Sequence, residues 1–171
     1  MRKLLFLTLL AGLLFQGCGF FQKEGSVRIY MKDAPLDLQQ VEHIYITFSS
    51  ITAHRTGQGW ETIFEGEKTV DLKALMEGEA LIAEVELEAG DYTQLRLQIS
   101  EASIVLDGQS HQLEVPSGEV KIPCLFTVDE TTTVTILLDF SAQDSIRVIE
   151  AGKSNRYILR PVIRVVSITY S

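Results

Sequence analysis

Long apolar runs, paired cysteines and a basic surface are all missing from this 171-residue chain. Each absence removes a class of protein. Its two cysteines, Cys18 and Cys124, are too few for the disulfide framework of a small secreted scaffold. The longest apolar run, Leu4 to Phe15, is about a dozen residues, short of the ~20 that a membrane-spanning helix needs. Acids outnumber bases by 23 to 15, a formal charge of −8. That balance repels a phosphate backbone and argues against nucleic acid as a partner. There is no nucleophile elbow, phosphate-cradling glycine loop, HExxH or CxxC, so no catalytic residue and no cofactor is expected.

What is present begins at the N-terminus. Arg2 and Lys3 precede the apolar run, which has the length of a signal-peptide core and ends in Leu14-Phe15-Gln16-Gly17-Cys18. This resembles a lipobox, the site where bacterial lipoprotein signals are lipidated on cysteine and cut before it. Residues 1–17 then form the signal, Cys18 becomes the lipidated first residue, and 18–26 form a tether to a single domain, 27–171. The partner implied is a membrane, held through acyl chains worth about 0.8 kcal/mol per buried CH₂. In a Gram-negative host, Gly19 after the cysteine points to the outer membrane. Cutting removes two cations and no acid, lowering the formal charge from −8 to −10. Cys124 then has no partner and reads as a buried, inert thiol.

The mature chain is written in alternation. Val27, Ile29 and Met31 alternate with Arg28, Tyr30 and Lys32; Ile44, Ile46 and Phe48 alternate with His43, Tyr45 and Thr47. The central stretch, Leu81 to Ser100, reads as a hairpin. Leu81, Ala83, Val85 and Leu87 line one arm, an acidic turn follows at Gly90-Asp91-Tyr92, and Leu95, Leu97 and Ile99 line the other arm. Asp107-Gly108 marks a second hairpin. Further strands are read at Trp60–Phe64, Val120–Val128, Thr131–Phe140 and Tyr157–Ile168, the last carrying Pro161, which suggests an edge or bulge. The one helical candidate is Asp71–Glu77, with Asp71 as cap and Gly78 as stop. Nine or ten short strands, one short helix and no repeat predict an all-β antiparallel β-sandwich.

Several pieces in consistent order resemble a family of bacterial and archaeal secreted domains of unknown function, often lipoproteins, marked by a Gly-Asp-Tyr turn. They are Asp33-Ala34-Pro35, Val70-Asp71-Leu72, Leu87 to Leu97, Val115-Pro116-Ser117-Gly118, Leu138-Asp139-Phe140 and Leu159-Arg160-Pro161-Val162-Ile163. The resemblance implies an immunoglobulin- or transthyretin-like sandwich in the cell envelope and carries no activity with it.

Three constellations remain to be weighed. His43, His54 and His111 are far apart and would need to converge to hold zinc. Asp33, Asp37, Asp91, Asp107, Asp129, Asp139 and Asp144 lie at or near strand ends. Of these, Asp139 and Asp144, with Ser141 between them and Asp33 opposite, are the best set for a hard cation. Turn aspartates more commonly bond their own backbone, and no metal is expected. Trp60, the single tryptophan, is a ligand-binding candidate: exposed, it could stack on a glycan with Tyr30, Tyr45 and Tyr92 as an extended platform; buried, it would plug the core. The expected role is therefore a membrane-anchored, non-enzymatic interaction or structural domain. The alternatives are a glycan- or protein-binding module near Trp60 and a calcium-binding or hydrolytic lipoprotein.

Overall fold

The structure, a computed structural model, describes residues 23–33, 40–151 and 154–171. Cys18, the signal segment and Asp37 lie outside them. The strands are β1 (Glu24–Lys32), β2 (Val41–Arg55), β3 (Gly59–Asp71), β4 (Ala80–Glu88), β5 (Gly90–Leu106) and β6 (Gln109–Glu114). They continue with β7 (Glu119–Val128), β8 (Val134–Phe140), β9 (Ile146–Ala151), β10 (Ser154–Leu159) and β11 (Ile163–Tyr170). One short helix, α1 (Ala142–Ser145), stands between β8 and β9. Among the described residues eleven strands form two sheets, an all-β sandwich with one more strand than the upper end of the expected range. The smaller sheet runs β11-β8-β1-β4 and the larger β3-β2-β5-β6-β10-β9. β7 pairs with the first half of β5, from Gly90 to Gln98, while β6 pairs with its last four residues, Ser103–Leu106.

Alternation decides which face of each strand turns inward. Along β7, Val120, Ile122, Cys124, Phe126 and Val128 are buried and every residue between them is exposed. Val27, Ile29 and Met31 of β1 meet Ile136 and Leu138 of β8 and the buried sides of β2 and β5 in one core. Burying each such side chain contributes about 1.5–3 kcal/mol. Most pairs are antiparallel, but β1 runs parallel to β8 and β6 parallel to β10.

Four local expectations are corrected. The stretch Leu81–Ser100 is not a hairpin: β4 pairs with β1 in the smaller sheet, and β5 pairs with β2, β6 and β7 in the larger. The Gly90 turn therefore carries the chain across the sandwich, and the two apolar faces line the same core from opposite sides. Leu81 is 38% exposed while Ile82 is buried. The register shifts there, with Ala83 opposite Ile29 and Leu81 opposite Tyr30, so a bulge turns Ile82 inward. The helix read at Asp71–Glu77 shrinks to one 3-10 turn, Ala74–Met76. Asp71 does not cap it as a helix; it ends β3, and its Oδ1 accepts from the backbone N–H groups of Ile44 (3.2 Å) and Lys73 (3.1 Å). The last strand divides at Pro161 into β10 and β11, which belong to different sheets. The Asp107-Gly108 hairpin stands as read, with φ of 47° and 73° at its two central residues.

Candidate functional site

The inner face of the larger sheet ends in a polar cluster at the Gly90 turn. Arg55 closes β2, Glu61 lies in the first residues of β3, Glu88 closes β4 and Tyr92 lies in the first residues of β5. The Arg55 guanidinium pairs with both Glu61 and Glu88. The Tyr92 hydroxyl lies 2.7 Å from Glu61 Oε2 and 2.8 Å from the Glu88 carbonyl, and its ring stacks on Phe126 at 4.9 Å between centroids. Bonding back to a carbonyl four residues upstream, where the chain changes sheets, is the geometry of a tyrosine corner. Burial pushes the Tyr92 hydroxyl well above its ordinary pKa, and the hydrogen bond to Glu61 adds to the shift. Burial alone would lower Arg55; the bond to Glu88 and the charges of Glu61 and Glu88 outweigh it and raise its pKa. Gly90 has φ of 154°, and a Cβ there would stand 3.1 Å from Arg55 Cδ, so the arginine lies where any larger residue would project. Asp91 Oδ1 accepts from the Thr127 hydroxyl at 2.7 Å. The cluster joins four strands and holds the crossing in place, which makes it a fastener.

The outer face of the same strands is different. Trp60 does not plug the core; it is 39% exposed. His54 meets its ring edge-on at 5.1 Å, and the Arg96 guanidinium carbon lies 3.7 Å from the ring centroid. Pairing places His54 beside Trp60 and Gln94, and Arg96 between Thr52 and Lys121. Tyr92, read as part of the same platform, is buried, and Tyr30 belongs to the other sheet. Tyr45 shares β2 with His54 but pairs with Asp71 at the other end of β3 from Trp60 and stacks on His43 at 5.3 Å.

Beyond Lys121 the sheet forks, because β6 and β7 both pair with β5 and the loop between them must turn out. Gly118 permits it: a Cβ there would fall 2.5 Å from Gln98 Nε2. The fork leaves an open groove of about 490 Å³ between Pro116, Ser117, Glu119, Val120 and Lys121 on one wall and Leu159, Arg160 and Pro161 on the other. Arg96 (3.5 Å) and Lys121 (3.2 Å) share the single carboxylate Glu119. Arg96, Lys121 and Arg160 were not singled out in the sequence; they are 25 and 39 positions apart along it, and pairing brings the first two together while the groove wall brings Arg160 near Lys121.

The metal candidates do not assemble. Asp33 does come close to the first turn of α1, which it serves: its Oδ1 accepts from the Ala142 N–H at 3.1 Å. Asp144 accepts from the Ser141 hydroxyl at 3.0 Å and sits 3.6 Å from Arg164. Asp139 is a half-buried residue of β8, opposite Lys32 and Arg164. Asp129 accepts from the N–H groups of Thr131 (2.8 Å) and Thr132 (3.0 Å), which lowers its pKa. His43 lies 2.6 Å from Asp71, His54 3.0 Å from the Thr93 hydroxyl, and His111 against Tyr157. Among the described residues no three His, Cys, Asp or Glu side chains gather as metal ligands would. Cys124 is buried, and burial raises its thiol to about 11.

Fold and site together describe an all-β sandwich domain with an interlocked sheet crossing and a cationic outer groove. Residues 24–161 match the model of the family described as Domain of unknown function (DUF4382), and the chain belongs to that family. No curated protein matches it. A crystal structure of a "putative cell adhesion protein" from Bacteroides ovatus ATCC 8483 aligns with a TM-score of 0.33 and 10% identity. The alignment covers 85% of this chain and 44% of that one, so the chain spans less than half of that protein's length. A TM-score this low supports no argument from one protein to the other.

Proposed function

We propose that this is a non-enzymatic envelope domain, tethered to a membrane by lipid on Cys18 and displaying its larger sheet to a partner. The observation that carries the reading is the short apolar run ending in Gly17-Cys18, six positions ahead of the first strand. A fold starting that close to an acylated residue would stand directly on the membrane surface. Among the described residues no helix is long and apolar enough to cross a membrane. Asp33, Asp129 and Asp144 are occupied with backbone groups or neighbouring side chains, which suits a scaffold better than a catalyst.

A second reading refines the first: recognition of a glycan or protein through the Trp60 face, favoured by the partial exposure of the tryptophan beside His54 and Arg96. The anchor is tested by expressing the chain in a lipoprotein-processing bacterium and measuring intact mass, with Cys18→Ala alongside. A mature chain beginning at Cys18 and carrying acyl mass, lost in the variant, is the expected result. An unmodified chain in both samples overturns the anchor.

A further inference from the structure

We propose that the strip from Trp60 through Arg96 and Lys121 to Arg160 binds an acidic polysaccharide, its carboxylates taken up at the groove. The proposal rests on the recognition reading above and names the ligand class for that face. Charge is the first argument. The chain carries 23 acids against 15 bases, yet this strip presents three cations to two carboxylates, Glu119 and, across Ser50 from Gln98, Glu65. Arg160 is exposed and its guanidinium has no ion-pair partner among the described residues. A surplus of positive charge on an acidic protein steers anions to one place.

Shape is the second. Trp60, on β3, and Lys121, on β7, are separated by β2 and β5, a lateral span of about 14 Å at ~4.8 Å per strand. Arg160 extends the strip to the far wall of the groove. A single small anion would fill the groove and leave the rest bare; an extended chain would use all of it. The groove is also preformed: Pro116 and Pro161 have fixed φ, and buried Val120 and Leu159 form its floor.

Chemistry separates a saccharide from other polyanions. Thr52, Gln94 and Gln98 lie among the cations in register on the outer face. Each can donate and accept, which suits hydroxyl groups. Trp60 offers an apolar ring for the carbon-bound hydrogens of a sugar. An acidic peptide would use only the charges, and the overall negative charge opposes nucleic acid.

The test is calorimetric titration of the full chain with polygalacturonate, dextran, polyglutamate and inorganic phosphate at low ionic strength. Polygalacturonate is expected to bind, with affinity falling as salt is added. The double variant Arg160→Ala/Lys121→Ala should weaken it by about tenfold. Trp60→Ala should weaken it as well, and Arg28→Ala, on the opposite sheet, should not. Unchanged melting temperatures show that the variants fold. Dextran bound as tightly as polygalacturonate, with loss only in Trp60→Ala, would leave the recognition reading standing and overturn the acidic assignment. Equal binding of polyglutamate or phosphate would overturn the saccharide assignment. Failure to bind polygalacturonate, or binding untouched in the double variant, would overturn the proposal outright.

Discussion

His54 and Arg55 are neighbours in sequence, as are Trp60 and Glu61, yet each pair is split between opposite faces of one sheet. Arg55 and Glu61 turn inward to the Tyr92 corner, where every charge has a partner within the protein. His54 and Trp60 turn outward, beside an arginine that leans on an aromatic ring and shares its one carboxylate with a lysine. The two regions use similar residue types on the same strands. What separates them is water. Inside, an unpaired charge is costly, so acids and base are matched and a tyrosine satisfies what remains. Outside, charge is solvated and its surplus is free for a ligand.

Substitutions should expose that difference, beginning at the corner. Tyr92→Ala removes a buried ring stacked on Phe126 and should lower stability by about 3–5 kcal/mol in urea denaturation. Tyr92→Phe keeps the ring, loses only the hydroxyl bonded to Glu61 and the Glu88 carbonyl, and should cost about 1–2 kcal/mol. An equal loss in both variants would mean that the hydroxyl, rather than the packing, holds the corner.

Alkaline pH probes the interior by a second route. The folded Cys124 thiol ionises near 11 against an ordinary 9.0. Its contribution is fully present below pH 9 and is lost as pH rises towards 11. Tyr92 is shifted in the same direction, so the two losses reinforce one another. Stability should be flat up to about pH 9 and fall beyond it, less steeply in Cys124→Ala than in the parent. A curve identical in both would remove Cys124 from the account.

The smallest effect belongs to the outer face. Arg96→Ala should change stability by less than about 1 kcal/mol, since exposed cation–π pairs contribute roughly 0.5–1 kcal/mol. It should shift the fluorescence of Trp60, the single tryptophan, because the group over its ring is gone. A large loss of stability would place Arg96 among the fasteners.

Much of this fold could be read from alternation alone. β7 and the paired runs of β1 and β2 show their inward residues without a structure, because side-chain direction is a local property of a strand. Partnership is not local. The arms 81–88 and 91–100 look like a hairpin in any window, and nothing in them says that β4 will pair with β1. The parallel pairing of β1 with β8 links residues more than a hundred positions apart, and the bulge at Ile82 shows only in the register with Ile29. The Gly-Asp-Tyr turn was legible as a turn from residue type, whereas the Arg55 and Glu61 that gather around Tyr92 were hidden by distance along the chain. Trp60 could be named as a candidate from composition. Its exposure, its Arg96 partner and the groove at Arg160 depend on which strands lie side by side.

The most direct measurement sets one arginine from each region against the other, by urea denaturation of Arg55→Ala and Arg160→Ala. Arg55 is mostly buried between two glutamates, and its loss leaves both unpaired at the sheet crossing. That variant should lose about 3 kcal/mol, while Arg160→Ala should stay within about 0.5 kcal/mol of the parent. Similar losses in the two, or the larger loss at Arg160, would contradict the division between a corner that holds the fold and a strip whose charge is free.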